Sequence, residues 1–327
     1  MATIYKTFLN NDVASTRTLL HEAIPITGSI VSGTYADANI KDFTTDLVQQ
    51  VYDYPYLSSS ANHIFDITAG YSANSALSAS AAAAGVSSAD IKNKINMYNE
   101  MAQVLMGYDL TGSILEFDQD GDLGAGGTKL KEIYVLNFAR LLTKDEIKKG
   151  SFTLTLGETT GFTTPFVARQ GISDYNAQND FRVNSPVGEY GILYTSSVDI
   201  NTGSGVGLLY YQAGVAILTS SVFPDAAELT SAGLTGSQVL SGSTILENAD
   251  ALRHRFYNLQ FNNTTELNST IYFCRVNHNE FNYSANPTYL SSSQIVVKQE
   301  TTDAPVSFLT TIGLYSADNE LLATAKL

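Results

Sequence analysis

At 327 residues the chain can hold one large or two ordinary domains with a sizeable core, and its hydrophobic fraction of 44% is that of an ordinary globular protein. With 32 acidic against 18 basic residues the net charge is −14, so the clustered Lys and Arg needed for phosphate binding are missing and nucleic acid is excluded as an expected partner. A single cysteine, Cys274, rules out an intramolecular disulfide, and no apolar run approaches the roughly 18 residues of a membrane span.

The start, Met1-Ala-Thr-Ile-Tyr-Lys, lacks the basic-then-apolar layout of a signal peptide, and the expectation is a chain kept in a cytoplasm until release. The first 35 residues read as irregular or β. From Asn39 to Tyr52 a helix is expected: Asn39 caps it, Ile40, Phe43, Leu47 and Val51 recur at helical spacing, and Tyr54-Pro55 ends it. His63 to Thr68 reads as a short strand. The Ala/Ser tract from Tyr71 to Gly85 is open between helix, coil and flexible segment. The clearest helix runs from Ser88 to Met106, with Ser87 and Asp90 at capping-box spacing and Gly107 just past the end. Its stripe of Ile91, Ile95, Tyr98, Ala102 and Leu105 needs a surface to cover it, and a sheet is the expected one.

Beyond that helix the pattern turns to β. Lys131 to Leu142 carries large apolar groups on both faces, as a central strand does. A helical turn is expected at Lys144 to Lys149, ended by Gly150, before the alternating Ser151 to Leu156. Gly188 to Ser197 and Gly205 to Ser221 read as strands, the latter reversing at Gln212-Ala-Gly214. The polar stretches 158–187 and 224–243 are expected to be surface excursions, and Thr244 to Leu252 a helix. Arg255 to Phe261 alternates, Asn262 to Asn268 reads as a turn, and Ser269 to Asn277 as the return strand, with Cys274 buried inside it. Gln294 to Lys298 and a terminal hairpin about Ser316-Ala-Asp-Asn319 complete the set. The fold class expected is α+β, mainly β: an antiparallel β-sandwich with one long packed helix and a few short ones. Its parts are an α+β part at 1–157 and a mostly β part at 158–327, or one continuous domain.

Among site candidates, Asp118, Asp120 and Asp122 stand at the first, third and fifth positions of a calcium loop. Leu123 then occupies the glycine position and Lys129 that of the bidentate Glu, so the expected structure is a polar turn, with a partial cation site as the alternative. The histidines His21, His63, His254 and His278 show no metal-binding pairing, and Thr202-Gly-Ser-Gly-Val-Gly207 lacks the Lys-Ser/Thr of a phosphate loop. Gly203-Ser-Gly205 is no nucleophile elbow, since strand follows it. No catalytic residue and no cofactor is expected. Tyr52, Tyr54 and Tyr56 about Pro55 are either interface anchors or cover for a core.

The final stretch, Phe308 to Leu327, with Ile312, Leu314 and Tyr315 in its first strand, resembles a segment common in bacteriophage tail and baseplate proteins. Asn279 to Thr288, Tyr52 to Thr68 and Phe138 to Phe152 are similar to blocks in virion proteins of large marine T4-like phages. The resemblance implies a structural subunit of a contractile-tailed virion, in the baseplate or at a fibre attachment, assembled in the host cytoplasm. Its partners would be other virion proteins, in homo- or hetero-oligomers, with no membrane, and Ile312, Leu314 and Tyr315 would be interface residues. Alternatives are a neck, collar or capsid-decorating protein and, third, a receptor-binding or glycan-cleaving tip protein.

Overall fold

The computed structural model describes residues 5–27, 39–42, 45–53, 62–83, 86–124, 127–157, 168–175, 177–195, 205–223, 235–277, 286–291, 294–295 and 309–327. In chain order the elements are β1 (Val13–Thr27), β2 (Ile40–Asp42), β3 (Gln49–Tyr52), β4 (His63–Tyr71), α1 (Ala76–Ala83), α2 (Ser88–Leu105), β5 (Phe117–Asp118), β6 (Lys129–Leu130) and β7 (Glu132–Phe138). Then come α3 (Arg140–Thr143), β8 (Glu146–Ile147), β9 (Thr153–Gly157), β10 (Arg169–Ser173), β11 (Arg182–Ser185), β12 (Gly188–Thr195), β13 (Gly207–Tyr210) and β14 (Val215–Thr219). Last are α4 (Gly236–Gly242), α5 (Ile245–Arg253), β15 (Phe256–Tyr272), β16 (Leu290–Ser291), β17 (Gln294–Ile295), β18 (Thr311–Tyr315) and β19 (Leu321–Lys326).

The fold is α+β and mainly β. One 13-stranded antiparallel sheet runs in the order β1-β15-β9-β10-β12-β13-β14-β7-β4-β3-β2, with β11 beside β12 and β8 beside β15. Three two-stranded sheets, β5-β6, β16-β17 and β18-β19, stand apart from it. The chain divides into two compact units, 18–267 and 1–17 with 268–327, the division falling inside β1 and β15. No helix among the described residues is long and apolar enough to cross a membrane.

The larger unit buries two sets of side chains, one on each face of its central strands. On β7, Ile133 and Val135 face one set while Tyr134, Leu136 and Phe138 face the other, the two-sided pattern read from the sequence. The first face is covered by α2 through Tyr98, Ala102 and Leu105. Ser87 Oγ caps the helix by accepting from the Asp90 amide, and Gly107, at φ +82°, turns the chain away as a C′ glycine. The helix approaches β4 so closely that a Cβ on Gly70 would lie 2.5 Å from the Lys94 carbonyl oxygen. On the second face, strands far apart in sheet order meet. Phe65 of β4 stacks on Phe256 of β15 with centroids 5.5 Å apart, and Phe138 of β7 meets Phe152 and Phe261.

Several local expectations are corrected. The segment expected as a helix at 39–52 is β2 and β3, in which Ile40 and Val51 are cross-strand partners. Their shared face, not a helical stripe, explains the spacing. The helical turn expected at Lys144 to Lys149 falls earlier, as α3, because Lys144 takes a positive φ of 56° and Glu146–Ile147 pair with β15. The excursion expected over 158–187 contains β10, an interior strand whose Ile172 is 0% exposed, together with β11; residues 158–167 lie outside the described set. Within 224–243, α4 occupies Gly236–Gly242. The turn expected at Asn262 to Asn268 does not exist: β15 runs unbroken for 17 residues. There Asn263 donates to the Leu142 carbonyl (2.8 Å) and accepts from the Glu22 amide (3.1 Å), so its polar groups are satisfied within a buried strand. Cys274 is exposed, beyond the end of that strand.

The smaller unit has a different character. Asp12 accepts from the Leu9 amide and pairs with Arg275 at 2.7 Å, while Tyr5 packs edge-on against Tyr315. The terminal hairpin forms as expected, with Ile312 opposite Ala325 and Leu314 opposite Ala323. Ser316 Oγ accepts from the Asp318 and Glu320 amides, and Asn319 supplies the left-handed residue of the turn.

Candidate functional site

Two features of the described chain offer something to a ligand or partner: the acidic turn between β5 and β6, and the surface of the smaller unit.

The acidic turn is set by its own short hairpin, Phe117 pairing with Leu130 and Asp118 with Lys129. One carboxylate oxygen from each of Asp118, Asp120 and Asp122 lies within 4.8 Å of the other two. Asp118 is 0% exposed, whereas Asp120 and Asp122 are open to solvent. Lys129, standing where a calcium loop carries its Glu, donates to Asp118 Oδ2 at 2.6 Å and to the Gly124 carbonyl at 2.8 Å. Asp118 Oδ1 is sealed from water and receives no hydrogen bond. Leu123, in the glycine position of such a loop, adopts the positive φ (57°) that the position demands, a strained conformation for a bulky side chain. The turn is anchored from outside by Arg182 Nε on the Asp120 carbonyl and by Asn184 and Tyr190 on the Gly121 carbonyl. Burial pushes the Tyr190 phenol up to about 12, so it stays protonated.

On the smaller unit, Asp12 is the one buried side chain among the described residues. Among the described residues, more than half of the exposed large apolar side chains lie on this unit, including Phe8, Tyr272, Phe273, Tyr315 and Leu322. Ile312 and Leu314 are half-buried and Tyr315 is 45% exposed, so the terminal strand presents its interface candidates to solvent in part. Tyr52, by contrast, is buried beside His63 and its hydroxyl donates to Gln50. It belongs to the fold of the larger unit. Tyr54 and Tyr56 lie outside the described residues, as do His278 and residues 201–204 of the Gly-rich stretch.

Asp174 and Lys94 are among the buried ionisable groups that escaped the sequence reading. Asp174 borders a cavity of about 330 Å³ beside β9 and β10, and accepts from the Gly150 and Phe152 amides and the Tyr211 hydroxyl. Burial outweighs these hydrogen bonds and pushes its pKa up to about 6. With both oxygens engaged, this carboxylate pins the Gly150 turn. Lys94 is wholly buried on α2, its Nζ donating to the Leu240 carbonyl at 2.6 Å. Its position between Ile91 and Tyr98 on the apolar stripe was the available signal. Of the histidines, His63 pairs with Asp66 at 2.8 Å, and His21 Nδ1 lies 3.3 Å from the Asn263 carbonyl oxygen and 3.2 Å from the Thr264 hydroxyl.

No family model, curated protein or solved structure matches the chain.

Proposed function

We propose that the chain is a structural subunit of a contractile-tailed phage virion, placed in the baseplate or at a fibre attachment. The observation that carries this reading is the smaller unit: extended strands, exposed apolar side chains and no apolar core of its own among the described residues. A two-stranded sheet alone in water is marginal, and clustered exposed apolar groups mark surfaces that partners cover. The terminal block that resembles tail and baseplate segments belongs to this same unit. In this reading the larger unit contributes a β-sandwich, its sheet folded so that Phe65 meets Phe256, whose faces and edges hold neighbouring subunits in register. The mechanism is geometric, and the partners are other virion proteins or further copies of the chain.

Cryo-electron microscopy of purified virions tests the reading. Density for this chain against tube, sheath or fibre, with residues 268–277 and 311–326 covered, is the expected result. Density against portal or capsid moves the subunit to the neck or head. Absence of the chain from mature particles, or glycan cleavage by the isolated protein, would overturn the structural role.

A further inference from the structure

We infer that the turn Asp118–Asp120–Asp122 binds one calcium ion per chain. The three carboxylates are gathered within 4.8 Å of one another, and Lys129 neutralises only one of them, through Asp118 Oδ2. The independent observation is Asp118 Oδ1, an anionic oxygen with no access to water and no hydrogen-bond donor. A buried carboxylate oxygen left this way is costly unless a cation meets it. It faces the same space as Asp120 Oδ2, for a Cβ built on Gly127 would stand 3.9 Å from each. Asp120 Oδ1 and Asp122 Oδ1 accept from the amides of Asp122 (3.2 Å) and Gly124 (2.6 Å), which orient those side chains and leave their other oxygens for a metal.

The donors are all oxygen and mostly charged, the preference of a hard cation. Calcium, with ligands at roughly 2.4 Å and a flexible coordination number, suits three oxygens spread over this range. Magnesium, at about 2.1 Å and strictly octahedral, requires a tighter cluster. Two of the three side chains are exposed, so the ion enters from solvent and keeps water in its remaining positions. The consequence is mechanical: calcium locks a turn that is tied through Arg182, Asn184 and Tyr190 to β11 and β12 of the large sheet.

The test uses the full chain stripped with EDTA. Titration with CaCl2 in a calorimeter should give one site with a Kd of about 10⁻⁵–10⁻³ M, and a melting temperature several degrees higher at saturation. Terbium should bind competitively and luminesce on tyrosine excitation, because the Tyr190 hydroxyl lies 3.4 Å from the Gly121 carbonyl. Asp120→Asn with Asp122→Asn changes two exposed side chains; this variant should melt like the calcium-free wild type and lose at least tenfold in calcium affinity. The inference is overturned by absence of binding heat and terbium luminescence up to 10 mM, a concentration of about ten times the weakest Kd expected. It is equally overturned by unchanged affinity in the double variant, or by a melting shift that NaCl of equal ionic strength reproduces.

Discussion

Lys94→Met isolates the energetic effect of a charge buried under α2. The Lys94 side chain is 0% exposed, with Nζ on the Leu240 carbonyl and 5.8 Å from the centroid of the Tyr71 ring. Burial lowers its pKa from 10.5 to about 8, and the attraction of Asp90 and Glu247 only partly opposes this. That gap corresponds to about 3 kcal/mol, at about 1.4 kcal/mol per pH unit. Because the folded value is the lower one, the contribution is present above the unfolded pKa near 10.5 and is lost as pH falls through about 8. At pH 7 the native state therefore carries a desolvated ammonium. Methionine keeps the stem and removes the charge, but leaves the Leu240 carbonyl without its donor, a loss of about 1–2 kcal/mol. The net expectation is a variant more stable than wild type by about 1–2 kcal/mol at pH 7. By pH 10 wild type should have regained about 2.5 kcal/mol relative to the variant, reversing the order. Urea titrations followed by circular dichroism at both pH values measure this, provided the slopes agree. A wild-type-to-variant difference that stays constant from pH 7 to pH 10 would refute the reasoning.

Gly70→Ala places a Cβ 2.5 Å from the Lys94 carbonyl oxygen and 3.0 Å from the Tyr98 amide nitrogen, both backbone atoms that cannot swing aside. The expected cost is about 1–3 kcal/mol, read as a lower melting temperature; an unchanged value contradicts the close contact of α2 with β4. Asp174→Ala strands the Gly150 and Phe152 amides and the Tyr211 hydroxyl, and should cost about 2–4 kcal/mol in urea unfolding. A loss below about 0.5 kcal/mol, the usual scatter of surface substitutions, would show that the carboxylate pins nothing. Cys274 should react with a thiol reagent in the native isolated chain as fast as a free peptide thiol. Reaction limited by unfolding would show instead that it is covered.

Elements held by local chemistry were legible in the sequence. Helix α2 combined a serine cap, a continuous apolar stripe and a terminal glycine, and each does locally what its residue type suggests. The hairpin between β13 and β14 was legible for the same reason, since Gly214 takes a positive φ of 69° inside the reversal. Elements held by tertiary contacts were not. Ile40 and Val51 belong to different strands, yet their separation imitates three helical turns. β10 shows a single large apolar residue, Ile172, and becomes an interior strand only because β9 and β12 flank it. β15 hides its length behind Asn263 and Thr264, whose buried side chains are satisfied by partners distant in sequence. The acidic turn was legible as spacing. That Asp118 is buried with one oxygen unmatched, while Asp120 and Asp122 are exposed, depends on the packing of the β5–β6 hairpin and could not be read from the spacing.

Hydrogen exchange, measured on the isolated chain and again within the assembled particle, tests the assembly role most directly. If partner subunits complete the smaller unit, amides of 268–272, 311–315 and 321–326 will slow at least tenfold on assembly, about 1.4 kcal/mol of added protection, while those of β7 and β14 change little. Equal exchange of these segments in the two states would mean that nothing covers them, and the proposed role would fail.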